Sequence, residues 1–247
     1  MSRIWMTVAL ASALLIGGAG VPQPAAAAHH EPVTMAITVN VAPGQMGEYR
    51  ARVGKLNAIM KRLGAAGTMR MWRPQLAGPA AATGNVLVGI EYPNAAAWAA
   101  AQSALQGDAE YSKIIGSLDE IRTIVYSGLW TDITPAKVTP GVAAGPVLAI
   151  TGVAVKPGKL EDYRKRVSDA QGMVESLGIS MRLRMWRATI AGQDTGSVVI
   201  GFEYADLKTF VADRAKMQAD AGWRSFIAGL DAVRTLGGTT LYREITP

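Results

Sequence analysis

Arginine, tryptophan and glutamate recur as a set in this chain, at Arg70, Trp72 and Glu91 and again at Arg184, Trp186 and Glu203. A guanidinium supplies charge and a planar fork of donors, an indole supplies a stacking face, and a carboxylate can accept from either a ligand or the guanidinium. Two such sets facing one another could hold a small anionic or aromatic molecule. They could equally be structural, each arginine neutralising a glutamate inside a packed interface, because buried charges are usually paired. Duplication favours the structural reading, since repeats keep what holds their halves together. Asn40 breaks the repetition: its counterpart is Ala154. With Tyr49, Trp72 and Glu91 it forms the set available for catalysis in the first copy. Tyrosines on an apolar stripe, such as Tyr49 and Tyr163, are ordinarily core residues whose hydroxyl reaches a polar neighbour.

Composition narrows the chemistry. The chain has no cysteine and only two histidines, His29 and His30, adjacent and near its start. From Glu31 onward the commonest general base, the commonest metal ligand and the usual axial ligand of haem are all missing. No phosphate loop, nucleophile elbow or catalytic carboxylate pair is present. The expectation is therefore no cofactor, and no metal in the folded body. One metal alternative rests on the histidines. Cleavage after Ala27 would leave Ala28-His29-His30 as a new N-terminus, whose third-position imidazole, amine and amides could bind copper(II); cleavage after Ala28 would remove that geometry.

The cleavage itself is expected from residues 1–28. Arg3 precedes an apolar run from Ile4 to Ile16, and Ala26-Ala27-Ala28 gives a small-residue processing site, the pattern of a secretory signal peptide. That run is shorter than the ~18 to 20 residues needed to span a bilayer, and no later run reaches that length. A periplasmic or secreted location follows, with no membrane span. Without Arg3 the chain carries 24 basic and 19 acidic residues, a modest positive balance that favours anionic surroundings without specifying one. No basic run with interleaved aromatics argues for nucleic acid.

The elements that must position these residues are written twice. Met71-Trp72-Arg73 returns as Met185-Trp186-Arg187, and the same spacing carries Pro43-Gly44 onto Pro157-Gly158, Tyr49-Arg50 onto Tyr163-Arg164 and Leu63-Gly64 onto Leu177-Gly178. A two-residue deletion later, Glu91-Tyr92 matches Glu203-Tyr204, Leu118-Asp119 matches Leu230-Asp231, and Ile133-Thr134-Pro135 matches the last three residues. The period suits two small domains rather than a solenoid. These are assigned to residues 29–135 and 146–247, joined by a Pro/Gly/Ala-rich linker over 136–145. Within each copy, alternation predicts a strand over Val33–Val41. Three-and-four spacing of Met46, Tyr49, Val53, Leu56, Met60 and Leu63 predicts a helix that Gly64 ends. A hairpin of Thr68–Gln75 with Asn85–Tyr92 follows, then helices capped by Asn94 and, in the second copy, Asp206, and a closing strand over Arg122–Trp130. Alternation puts Val86, Val88, Ile90, Met69 and Met71 under the helices, and Arg70, Trp72 and Glu91 on the opposite face.

The order βαββαβ, the Pro-Gly turn before a Tyr-Arg-x-Arg-Val helix, and the Asp-x-x-aromatic start of the late helix (Asp108 to Tyr111, Asp220 to Trp223) resemble the dimeric α+β barrel superfamily. Its NIPSNAP-like and antibiotic-biosynthesis monooxygenase-like members are the most similar. The resemblance implies an α+β fold of two ferredoxin-like domains in tandem, paired sheet to sheet within one chain as a pseudo-twofold barrel, and leaves room for further homo-oligomers. It also implies that Asn40 with Trp72 could assist oxygen chemistry without a cofactor. The haem-degrading relatives need a histidine that this body lacks.

Three functions remain open on these residues: an exported small-molecule-binding or interaction protein, a cofactor-independent monooxygenase-like or isomerase-like enzyme, and a purely structural barrel. An enzyme requires an open, asymmetric cavity in one repeat; equal, filled interiors would exclude it.

Overall fold

The computed structural model describes residues 31–76, 85–138 and 144–247. The signal-peptide assignment and His29 and His30 lie outside them, as do residues 139–143 of the linker. The first repeat runs β1 (Val33–Val41), α1 (Met46–Arg62), β2 (Thr68–Leu76), β3 (Asn85–Tyr92), α2 (Ala95–Gln106), α3 (Ala109–Leu118) and β4 (Arg122–Asp132). The second runs β5 (Val147–Val155), α4 (Leu160–Ser176), β6 (Arg182–Ile190), β7 (Val198–Tyr204), α5 (Leu207–Ala219), α6 (Ala221–Gly229) and β8 (Arg234–Glu244). Among the described residues no helix is long and apolar enough to cross a membrane.

Local chemistry accounts for the boundaries. Gly44 and Gly158, at φ 78° and 72°, make the left-handed turns after β1 and β5 that residues with a Cβ adopt poorly. Asn94, Asp108, Asp206 and Asp220 each accept a backbone N–H three residues on, which caps α2, α3, α5 and α6. The Asp-x-x-aromatic phrase is thus a helix cap followed by an aromatic side chain packed against the core, Tyr111 in one repeat and Trp223 in the other.

Each repeat forms a four-stranded antiparallel sheet, ordered β4-β1-β3-β2 and β8-β5-β7-β6. The two sheets do more than face one another. Their edge strands are hydrogen-bonded, β2 to β8 and β4 to β6, so the eight strands close into one barrel with no free edge. The helices lie outside, over two separate cores. One is built on Tyr49, Val53, Met60, Met71, Val88 and Tyr92, the other on Tyr163, Val167, Met185, Ile200 and Tyr204. This α+β architecture of paired ferredoxin-like units is the one the order of elements predicts.

Candidate functional site

The hairpin register explains where the Arg, Trp and Glu sets go. Thr68 pairs with Glu91, Arg70 with Gly89 and Trp72 with Leu87; in the second repeat Arg182 pairs with Glu203, Arg184 with Gly201 and Trp186 with Val199. All six predicted residues therefore point into the barrel. Each indole lies over the glycine that pairs with the arginine two residues before it. A Cβ at Gly89 would come within 3.0 Å of Trp72 Cζ3, and one at Gly201 within 2.5 Å of Trp186 Cζ3. Each guanidinium in turn sits 4.7 Å from the centroid of its own repeat's tryptophan ring.

The ion pairing is not the one expected within each copy; it is exchanged between them. Arg70 donates to Glu203 (2.8 Å) and Glu244 (2.7 Å) of the second repeat and to the Gly145 carbonyl (2.7 Å). Arg184 donates to Glu91 and to Asp132 (2.8 Å) of the first. Register is the reason. Arg70 lies opposite Gly89 rather than Glu91, while the seam strands bring the acids within reach: Glu244 pairs with Trp72 across β2–β8, and Asp132 with Trp186 across β4–β6. Of the two readings of Arg70 and Arg184, a ligand site or structural ion pairs, the geometry favours the pairs, because their donors already face four carboxylates. Asp132 and Glu244 were not singled out from the sequence, although both precede the repeated Ile-Thr-Pro phrase. Between the charge clusters the barrel keeps an apolar space of about 190 Å³, whose walls include Trp72, Trp130, Trp186 and Tyr126.

The residues read as a catalytic set do not meet. Tyr49 is fully buried in the first repeat's helix-side core, whereas Trp72 and Glu91 line the barrel interior. Asn40 sits near the end of β1, opposite Asn85, between Val39 and Val41, which both belong to the helix-side core. The sheet itself separates Tyr49 from the other three.

A different asymmetry emerges between helices and sheet. In the second repeat α4, α5 and α6 stand off β5–β8 around a cavity of about 630 Å³, whereas the matching space in the first repeat is about 70 Å³. Under the helix the wall is cut back: Leu56 and Ile37 of the first repeat are replaced at the cavity by Ala170 and Thr151, although Val88, Ile90 and Tyr111 give way to the larger Ile200, Phe202 and Trp223. The cavity walls are mainly apolar and aromatic, with Tyr163, Tyr204, Trp223 and Phe226 among them. Burial pushes the Tyr204 and Tyr163 phenols above their usual range, the neighbouring arginines Arg214 and Arg234 opposing without reversing it. Among the described residues, the ionisable groups besides these phenols are Arg214, Arg224 and Arg234, and no carboxylate lines the space. Their counterparts in the first repeat are Gln102, Ser112 and Arg122. Sequence reasoning passed over these arginines. For Arg214 and Arg224 the usable signal was there, as positions where two otherwise matched copies differ; Arg234 carries no such signal, because its counterpart is also an arginine.

Comparison with known proteins supports the fold. No family model matches the chain, and no curated protein does. Among solved structures, a protein from Lactobacillus acidophilus assigned as a monooxygenase superposes with a TM-score of 0.59 at 9% identity, covering 87% of this chain and 94% of that one. A variant of the chlorite dismutase from Candidatus Nitrospira defluvii gives 0.55 at 12%, covering 88% and 92%. A heme-binding protein from Thermus thermophilus gives 0.53 at 9%, covering 87% and 91%. The likeness is one of fold: paired ferredoxin-like α+β units, with both repeats aligned within single chains of similar length.

Proposed function

We propose that this is an exported small-molecule-binding protein of the dimeric α+β barrel type, whose ligand lies between the helices and the sheet of the second repeat. The observation that carries the reading is the inequality of two otherwise matched cavities. The repeats share strand order, helix stripes and barrel-facing charges, yet one helix-side space is filled and the other is ligand-sized. Replacing buried Leu and Ile by smaller residues destabilises a core that stays empty, so an opened core points to a bound occupant. The Arg, Trp and Glu sets then join the repeats and hold no ligand. Export rests on the Arg3, Ile4–Ile16 and Ala26-Ala27-Ala28 pattern, and kinship with NIPSNAP-like and antibiotic-biosynthesis monooxygenase-like domains on the turn and helix phrases.

The heme-binding neighbour makes a porphyrin a natural comparison, and the cavity has room for a ligand of that order. Its lining does not fit the iron. Among the described residues no imidazole or thiolate borders the space; Tyr163 and Tyr204 are held as neutral phenols, and Met217 offers only a thioether. No iron chemistry is assigned here. The neighbour assigned as a monooxygenase supports a second reading, a cofactor-independent enzyme, and the asymmetric cavity is what that reading requires. Its catalytic set would then lie in the second repeat, away from Asn40, Tyr49 and Glu91. With no carboxylate or imidazole lining the cavity, no group there is a general base near neutral pH, and binding is the better-supported function.

The test is native mass spectrometry of the protein purified gently from its own host, beside a variant carrying Thr151→Ile and Ala170→Leu, which restore the first repeat's filling. A reproducible extra mass of a few hundred daltons is expected in the wild type and none in the filled variant, since the cavity holds a drug-sized molecule. Identical spectra from the two would set the reading aside.

A further inference from the structure

We infer that Arg234 is the anchor for a carboxylate, and that the ligand of the second repeat is an apolar or aromatic carboxylic acid. The inference rests on the cavity reading above and adds the ligand's charge and the residue that reads it. Arg234 opens β8 and is 3% exposed, yet its Nε and Nη1 are buried without a hydrogen-bond partner. No carboxylate lies within ion-pair distance of it among the described residues, and its one charge-sensitive contact is the Tyr163 ring, 5.7 Å away. A guanidinium in apolar surroundings without a counter-ion is among the least favourable arrangements a core can hold.

The first repeat shows the same arginine in a structural setting. Its equivalent, Arg122, has Asp119 at 3.5 Å. In the second repeat Asp231 occupies the aspartate position but forms no ion pair with Arg234 among the described residues, and Arg234 instead borders the enlarged cavity. Arg214 and Arg224, both exposed, stand at the mouth. Arg224 already donates to the Gln218 and Ala219 carbonyls, so its role is to add positive potential and draw an anion inward. Arg234 lines the cavity with its charge uncompensated, so a carboxylate there accepts a charge-assisted N–H bond from the guanidinium, and the apolar body of the ligand fills the space between Trp223, Phe226 and Tyr204.

The probe pair for the test is 1-pyrenebutyrate and 1-pyrenebutanol, which share an apolar body and differ in charge. Fluorescence titration of the full chain is expected to show the acid binding at least ~10-fold more tightly than the alcohol, the size of a desolvated charge-assisted contact. Arg234→Met should abolish that preference while leaving the alcohol's affinity nearly unchanged, Arg234→Lys should restore part of it, and Arg122→Met should leave it intact. A wild type that binds both probes equally overturns the anchor without recourse to any variant. So does a preference that survives Arg234→Met or disappears in Arg122→Met. If neither probe binds the wild type, the cavity reading itself falls and the anchor falls with it.

Discussion

Arg184 and Arg234 are both buried arginines, and the molecule treats them in opposite ways. Arg184 is 4% exposed and carries its charge between Glu91 and Asp132; truncating it leaves two carboxylates at the seam without a counter-ion. Arg184→Met is expected to lower the unfolding free energy by ~3 kcal/mol in denaturant titrations. Arg234→Met removes a buried charge that has no counter-ion, so its thermal midpoint without ligand should rise rather than fall, the usual cost to stability of a residue kept for binding. A drop comparable to that of Arg184→Met would show that Arg234 serves the fold. The tryptophan seats give a third expectation. Gly201→Ala would force Trp186 off its position and should cost ~1–3 kcal/mol, more than Gly89→Ala, where the clearance is wider. The sequence identified Arg70, Trp72, Arg184 and Trp186 because a repeated phrase marks them. It gave no reason to prefer Arg234 over Arg122, since they are the same residue at the same repeat position. What separates them is whether an aspartate three residues earlier turns toward the guanidinium, and a side-chain orientation is not written in residue type.

At the scale of elements, α4 and α1 have the same length and the same stripe, and only the size of the inward side chains differs. Leu56 and Ile37 narrow the space beneath α1, and Ala170 and Thr151 leave it open beneath α4. Thr151→Ile with Ala170→Leu should therefore raise stability by ~1–2 kcal/mol, as cavity-filling substitutions commonly do, and remove ligand binding together. Calorimetric unfolding and probe titration on the same sample check both halves of that expectation. The elements themselves were legible. β1 and β3 fall where alternation places them and α1 follows its three-and-four spacing, because local periodicity and capping determine short strands and helices. β4 runs two residues beyond the Trp130 predicted as its end, to Asp132. Pairing with β6 of the other repeat extends it, and that contact is invisible to local pattern.

For the whole molecule, closure of the barrel depends on seams, and each seam carries an ion cluster. Burial alone would raise the Glu244 carboxyl, but hydrogen bonds from Arg70 and Thr246, with the Arg70 charge, outweigh it and hold the group below its ordinary value of 4.5. A carboxyl lowered on folding contributes its full stabilisation above that ordinary value and loses it as pH falls through the folded one. Thermal midpoints are thus expected to vary little from about pH 7 to 5 and to decline below about pH 4. In Arg70→Met the decline over that acid range should be shallower, because the lowered carboxyl has lost its cause.

Taken by itself, the sequence determined the duplication, the α+β order of each unit, the faces on which Arg70, Trp72 and Glu91 lie, and the absence of cysteine and histidine beyond His30. All of these follow from residue type and short-range spacing. Tertiary structure alone decided that the sheets join edge to edge, that each arginine reaches the other repeat's acids, and that one of two similar cores is open with an unpaired guanidinium in its lining. Those outcomes depend on residues some 50 to 175 positions apart meeting across a seam or a cavity, and the volume and charge left between them are properties of packing rather than of sequence pattern.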